Sequence, residues 1–174
     1  MEYSRRAKPD DRSGFRMPKT PTSGQLWVVL ARCHKALSIL VKHSIARDGL
    51  CLSDFMILEA LLHKGPLTIT EIQGKVLLAS GSMTAAVDRL ENRQFIVRKA
   101  TGEDRRARQL HLTEEGRKFI TTVFEAHNKE LDNWLSVLTA EEKRQAYGLL
   151  KKLGLSAAAV HQAGTNSSEE KRQL

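Results

Sequence analysis

The sequence predicts a mainly α fold with a small β component (α+β): a winged helix-turn-helix of about six helices and a two-stranded wing, flanked by N- and C-terminal dimerisation helices. Three observations lead there. Short mid-chain segments, separated by turn residues, carry helix caps and apolar stripes. Two strand-forming runs follow at once, joined by a polar turn. Both ends of the chain carry apolar helical stripes with more surface than a domain of 174 residues covers by itself.

Residues 1–22 combine charge with Pro9, Pro18, Pro21 and Gly14 and little apolar content, the composition of a flexible basic arm. The first helix is expected from Gly24 to Arg47. Leu26, Leu30, Cys33, Leu37 and Leu40 recur at helical spacing beside a second stripe of Trp27, Ala31, His34, Ser38 and Val41. A helix apolar on two sides needs more than one neighbour, and Asp48-Gly49 ends it. Ser53 is placed as the N-cap of "DFMILEALLHK", which Gly65-Pro66 stops. Thr68, with Glu71 three residues on, has the capping-box pattern and opens a short helix. Ala79-Ser80 turns the chain, and "GSMTAAVDRLENR" forms a fourth helix with Met83, Val87 and Leu90 facing inward. "FIVRKA" and "ARQLHL" read as strands joined by "TGEDRR", which makes the wing. From Thr113 a long helix keeps its period through Phe119, Ile120, Val123, Phe124, His127, Leu131, Trp134 and Leu138. Thr139, with Glu142 three on, caps a last helix carrying Ala146, Leu149, Leu150 and Leu153. Residues 155–174, polar after Val160, are expected to form a frayed tail.

The formal charge of +8 favours a polyanionic partner, nucleic acid ahead of an anionic membrane face. No apolar run approaches the ~20 residues that span a bilayer, and no apolar block follows the basic start. Cys33 and Cys51 form no CxxC pair. A cytoplasmic protein without membrane partner is expected. The chain has no phosphate loop, nucleophile elbow or H-E-x-x-H, so an enzyme is not expected, nor a cofactor. His34, His43 and His63 lack ligand spacing, and no metal is expected.

The order helix, helix-turn-helix, wing, long helix, with "DRRARQLHLTEEG" after the wing tip, closely resembles MarR-family transcriptional regulators over roughly residues 24–153. Asp104, Arg106, Leu110, Leu112, Thr113 and Gly116 occupy the family's D-x-R…L-x-L-T-x-x-G places, and "LLASGSMTAAVDRLE" is similar to members that respond to quinones and hydroquinones. The resemblance implies one domain over 23–154. Within it, a DNA-binding lobe covers about 50–113 and dimerisation helices cover about 23–48 and 114–154. Two places depart from the pattern. Gln94 stands where the family usually has Gly, which requires a left-handed non-glycine residue or a different turn. Ala85 stands where many members carry Arg, so the operator need not be theirs.

The resemblance implies that Arg106 enters the minor groove while Asp104 fixes its side chain. A narrow A·T-rich minor groove has enhanced negative potential, which suits a guanidinium. Arg105 and Arg108 are assigned to phosphates; the alternative is a solvated basic turn. Ser80, Ser82, Met83, Thr84 and Ala86 lie on or near the N-terminal turns of the recognition helix, the part that enters the major groove. Capping competes for the serines, and core packing competes for Met83. Arg89 and Arg93, further along, suit phosphates.

An effector pocket is expected where the resemblance puts it, between the dimer helices and the DNA-binding lobe. Phe55, Glu59 and His127 would line it, with Trp27 from the first helix; aromatic walls, one carboxylate and one imidazole suit a flat aromatic with hydroxyls. The alternative is a half-exposed Glu59 and a satisfied core histidine. Cys33 is either a thiol switch, as in some members, or a small buried hydrophobe. The expected function is a homodimeric repressor that binds a pseudo-palindromic double-stranded DNA operator and is released by a small aromatic effector. Alternatives are a thiol-based repressor acting through Cys33 or Cys51, and a winged helix used only for protein contact.

Overall fold

A computed structural model of the chain describes residues 19–75, 80–101 and 104–170. The elements are α1 (Ser23–Arg47), α2 (Leu52–Lys64), β1 (Leu67–Thr68), α3 (Ile69–Lys75), α4 (Ser80–Asn92), β2 (Ile96–Thr101), β3 (Asp104–Leu112), α5 (Glu114–Trp134), a 3₁₀ turn (Leu135–Val137) and α6 (Ala140–Glu170). Two compact units meet in sequence at Asp132 and Asn133. Most of the expected basic arm, residues 1–18, lies outside the described residues.

In the first unit the helix ends follow from local chemistry. Thr22 opens α1 with a capping box: its hydroxyl accepts from the Gln25 N–H at 3.2 Å, and Gln25 Oε1 accepts from the Thr22 N–H at 2.9 Å. Gly49, at φ 68°, closes the same helix in a Schellman turn, with the Leu50 N–H donating to the Ile45 carbonyl. The N-cap of α2 is Cys51 rather than Ser53. Its N–H donates to Asp54 Oδ2 at 3.4 Å, so the carboxylate one turn in fixes the start. Thr68 and Glu71 form the expected reciprocal pair at 2.7 and 3.2 Å.

The sheet has three strands, one more than the sequence indicates. Leu67 and Thr68 pair with Leu110 and Gln109, giving the antiparallel order β1-β3-β2. Two residues are too few to show a period of two, so β1 left no sequence signal. β2 and β3 pair from Ile96 opposite Leu112 to Ala100 opposite Arg108, with an irregularity after Ala100. Helices and sheet close over Ile57, Leu58, Ile72, Val87, Leu90, Ile96, Leu110 and Ile120, all wholly buried.

The junction of α4, β2 and α5 is built around Gln94 and Phe95. Gln94 has φ 59°, the left-handed conformation that glycine usually supplies, which answers the question its sequence position raised. It is the C′ residue of a second Schellman turn. The Gln94 N–H donates to the Glu91 carbonyl at 2.9 Å, and the Phe95 N–H to the Leu90 carbonyl at 3.0 Å. Thr113 then ties α5 to this turn: its hydroxyl donates to the Gln94 carbonyl at 2.7 Å and its N–H to the Phe95 carbonyl at 3.0 Å. Gly116 packs directly on the Phe95 backbone; a Cβ there would lie 2.0 Å from the Phe95 carbonyl oxygen.

In the second unit, Thr139 and Glu142 cap α6, with the Thr139 N–H donating to Glu142 Oε2 at 2.8 Å. These hydrogen bonds hold the Glu142 carboxyl below the usual carboxylate range. The helix continues to Glu170, so the expected frayed tail is helical through most of its length. The alanine-rich run Ala157–Ala159 favours helix strongly enough to carry it past Gly154. Tyr147, Leu149, Leu150, Leu153, Leu155 and Val160 lie exposed along it. In the first unit, Leu26, Trp27, Val28, Val29, Ile39 and Leu40 of α1 are exposed as well.

Gly116→Ala is expected to destabilise the first unit by about 3 kcal/mol, the upper end of overpacking costs, because the new methyl meets backbone that cannot rotate away. Urea unfolding followed by circular dichroism measures the shift, and an unchanged midpoint would mean that α5 can move outward freely.

Candidate nucleic-acid interface

Packing fixes which face of α4 is outward. Met83 and Ala86 are wholly buried with Val87 and Leu90, whereas Thr84, Ala85 and Asp88 are exposed. Met83 serves the core, as its inward stripe predicts and against the groove role weighed beside it. For Ala86 the groove expectation is corrected, because three- and four-residue spacing puts it on the same stripe, facing α2 and the sheet. Ser80 and Ser82 lie in the first turn of α4; their side chains are outside the described residues. So are those of Asp104, Arg105 and Arg106 at the start of β3. Arg108 is exposed, paired in register with Ala100.

Three arginines tie α4 and its surroundings together. Arg89 Nη2 donates to Asp54 Oδ1 at 2.7 Å and lies 3.2 Å from Cys51 Sγ and 3.4 Å from Ser53 Oγ, all on the first turn of α2. Its hydrogen bond to Asp54 raises the Arg89 pKa and outweighs partial desolvation, so its charge is permanent. Arg93 donates to the Gly49 carbonyl at 2.7 Å and lies over the Phe95 ring, 4.6 Å from its centroid. Arg98, from β2, grips Asp88 at 2.5 Å and Glu91 at 2.7 Å. Arg89 and Arg93, expected from sequence only to meet phosphates, therefore also hold the helix in place. Asp54 and Arg98 were missed. An acidic residue in a first turn reads as a cap, and a lone arginine in a strand gives no signal at all.

A cleft of about 890 Å³ opens between α1, α2 and α5, and Phe55, Glu59 and His127 all line it. The Phe55 and His127 rings meet edge to face at 5.1 Å. His127 Nδ1 hydrogen-bonds the buried Ser44 hydroxyl at 3.0 Å. Burial lowers the His127 pKa, opposed by the nearby Glu130 and Glu59 charges. Glu130 is held ionised by hydrogen bonds from Ser44 and Arg47. His34, Ser38 and Lys42 of α1 complete one wall, none of them expected from sequence. Trp27 does not line the cleft. It lies two helical turns before His34, about 10 Å along α1, and is exposed. Cys33 is exposed on α1 rather than a buried stripe residue.

Residues 50–107 match the MarR family. Over 142 residues the chain is 37% identical to the HTH-type transcriptional regulator MhqR of Bacillus subtilis (strain 168), covering 82% of this chain and 98% of that protein. The chain belongs to the MarR family. Two solved structures share its fold. A mutant MarR from E. coli, complexed with operator DNA, aligns with a TM-score of 0.66 at 20% identity, over 74% of this chain and 92% of that one. NadR in complex with 4-hydroxyphenylacetate aligns with a TM-score of 0.63 at 23% identity, over 79% and 97%. This MarR-family chain is a transcriptional regulator and, like its relatives, not an enzyme. Among the described residues, no helix is long and apolar enough to cross a membrane.

The lowered His127 pKa sets a pH dependence. As pH falls, the unfolded chain protonates this imidazole near 6.5, before the folded chain does. The stability is therefore complete above that value and is lost as pH falls toward the lower folded pKa. Between pH 7 and 5 the melting temperature of the wild type is expected to drop more steeply than that of His127→Gln. Parallel profiles would assign the dependence to other groups.

Proposed function

We propose that this regulator is a cytoplasmic homodimeric repressor that reads a pseudo-palindromic DNA operator and is released by a small aromatic effector of the quinone, hydroquinone or phenol class. The observation that carries the reading is the bracing of α4. Ion pairs hold it to α2 on one side and to β2 on the other, and Thr84 and Ala85 in its N-terminal half face outward. On this reading Ser80, Ser82 and Thr84 enter the major groove, with half-sites about one turn of DNA apart. The wing residues Asp104, Arg105, Arg106 and Arg108 then meet the neighbouring minor groove and phosphates. The exposed apolar residues of α1 and α6 supply the dimer contact, a division that puts DNA binding in about 50–113 and dimerisation in about 23–48 and 114–154. NadR carries its aromatic ligand on the same fold, which favours the cleft at Phe55, Glu59 and His127 as the effector site. Release requires the effector to prefer the conformation that does not bind DNA.

A thiol-based alternative has one observation in its favour: exposed Cys51 lies 3.2 Å from Arg89 of the reading helix. Fluorescence anisotropy with DNA from upstream of its own gene tests both readings, run under reducing conditions with and without a hydroquinone. Salt-sensitive binding, weakened at least tenfold in Arg106→Ala, and release lost in Glu59→Ala with His127→Ala are expected. Release that survives both pocket substitutions but disappears in Cys51→Ser would transfer the sensing role to the thiol.

A further inference from the structure

We propose that Asp54 is a positioning residue for DNA: it grips Arg89 by one edge so that the exposed side of the guanidinium meets one backbone phosphate where α2 and α4 join. This rests on the DNA-binding reading above. Asp54 is nearly inaccessible, its side chain only 6% exposed, while Arg89 keeps 48% of its own. The contacts to Asp54, Cys51 and Ser53 all fall on the same nitrogen, Nη2. A guanidinium has five N–H donors in a fixed plane, so one edge can be held while the opposite edge donates to a phosphate. The brace is itself immobile, because Phe55 and Leu58 anchor the same turns of α2 in the core. An arginine on a free four-bond stem loses its rotamer freedom on reaching a phosphate; one already clamped has lost most of it on folding.

The interaction is a tie within the protein as well, and DNA measurements separate the two roles. Operator affinity is measured by anisotropy across a salt series, with melting temperature and oligomeric state as controls. Asp54→Asn should weaken binding roughly fivefold to tenfold, the scale of immobilising one long side chain on binding, with the salt slope unchanged. Arg89→Ala should weaken it further and lower the slope by about one phosphate contact. In the Arg89→Ala background, Asp54→Asn should then cost nothing more. Wild-type affinity in Asp54→Asn, or a loss that persists undiminished without Arg89, overturns the proposal. If Asp54→Asn does not fold, Arg89→Lys decides. An ammonium lacks the guanidinium's two opposed edges, so it could bridge Asp54 and a phosphate only if both anions closed on one nitrogen; its loss should approach that of Arg89→Ala, and wild-type binding would overturn the brace. Failure of the wild type to bind any DNA in an unbiased selection would sink the DNA reading and this proposal together, an outcome distinct from equal binding by wild type and variants.

Discussion

The backbone at Phe95 is the joint that α4, β2 and α5 share. Its N–H closes α4 and its carbonyl accepts the Thr113 N–H that begins α5, while β2 leaves from the next residue. Gly116 permits the close approach, and the Phe95 ring stacks on Phe119 of α5 at 4.4 Å with Arg93 above it. Helix, strand and long helix therefore share one fixed point, and none can rotate without breaking hydrogen bonds in the other two. From Gly116 to His127, α5 advances about 16 Å as a continuous helix, so the cleft and the end of α4 are connected by a stiff rod.

Around that joint, charge orients more than it stabilises. Arg98 and its partners Asp88 and Glu91 are partly exposed, and pairs of that kind contribute about 0–1 kcal/mol each. Their effect is geometric: two carboxylates one turn apart on α4 are held by one forked cation on β2, which fixes the angle between helix and wing. The buried Asp54 is a different case. Without Arg89 its carboxylate would have only the long hydrogen bond from the Cys51 N–H to set against its desolvation, so that pair cannot be removed one member at a time without a penalty.

Most of this was legible in the sequence because it rests on local rules. The capping pairs Thr68–Glu71 and Thr139–Glu142 need only three-residue spacing, and the alternation in "ARQLHL" marks a strand without reference to a partner. Thr113 and Gly116 were visible as a motif, but their work was not; it depends on the Phe95 backbone, 18 and 21 residues earlier in the chain. Gln94 shows the same limit: the sequence posed a choice between two backbones, and only the closed Schellman turn selects one. The outward face of α4 was misjudged at Ala86, since a small residue fits a groove contact and a tight helix packing equally well. Glu59 and His127 could be grouped because each breaks the apolar pattern of its own helix, and Phe55 because it lies one turn before Glu59 on the same face. Ser44 and Asp54 could not, since a serine late in a helix and an aspartate early in one are both ordinary.

The central place of β3 carries a mechanical consequence. Leu110 is paired on one side with Leu67 and on the other with Arg98, and its side chain is wholly buried. A hinge at the root of the wing would have to unzip both edges at this residue and expose it to water. Force applied to the hairpin is instead passed through the two-residue strand β1 to the start of α3. Wing and helix-turn-helix therefore respond to load as a single plate, and a bend at the root of the wing costs the burial of Leu110.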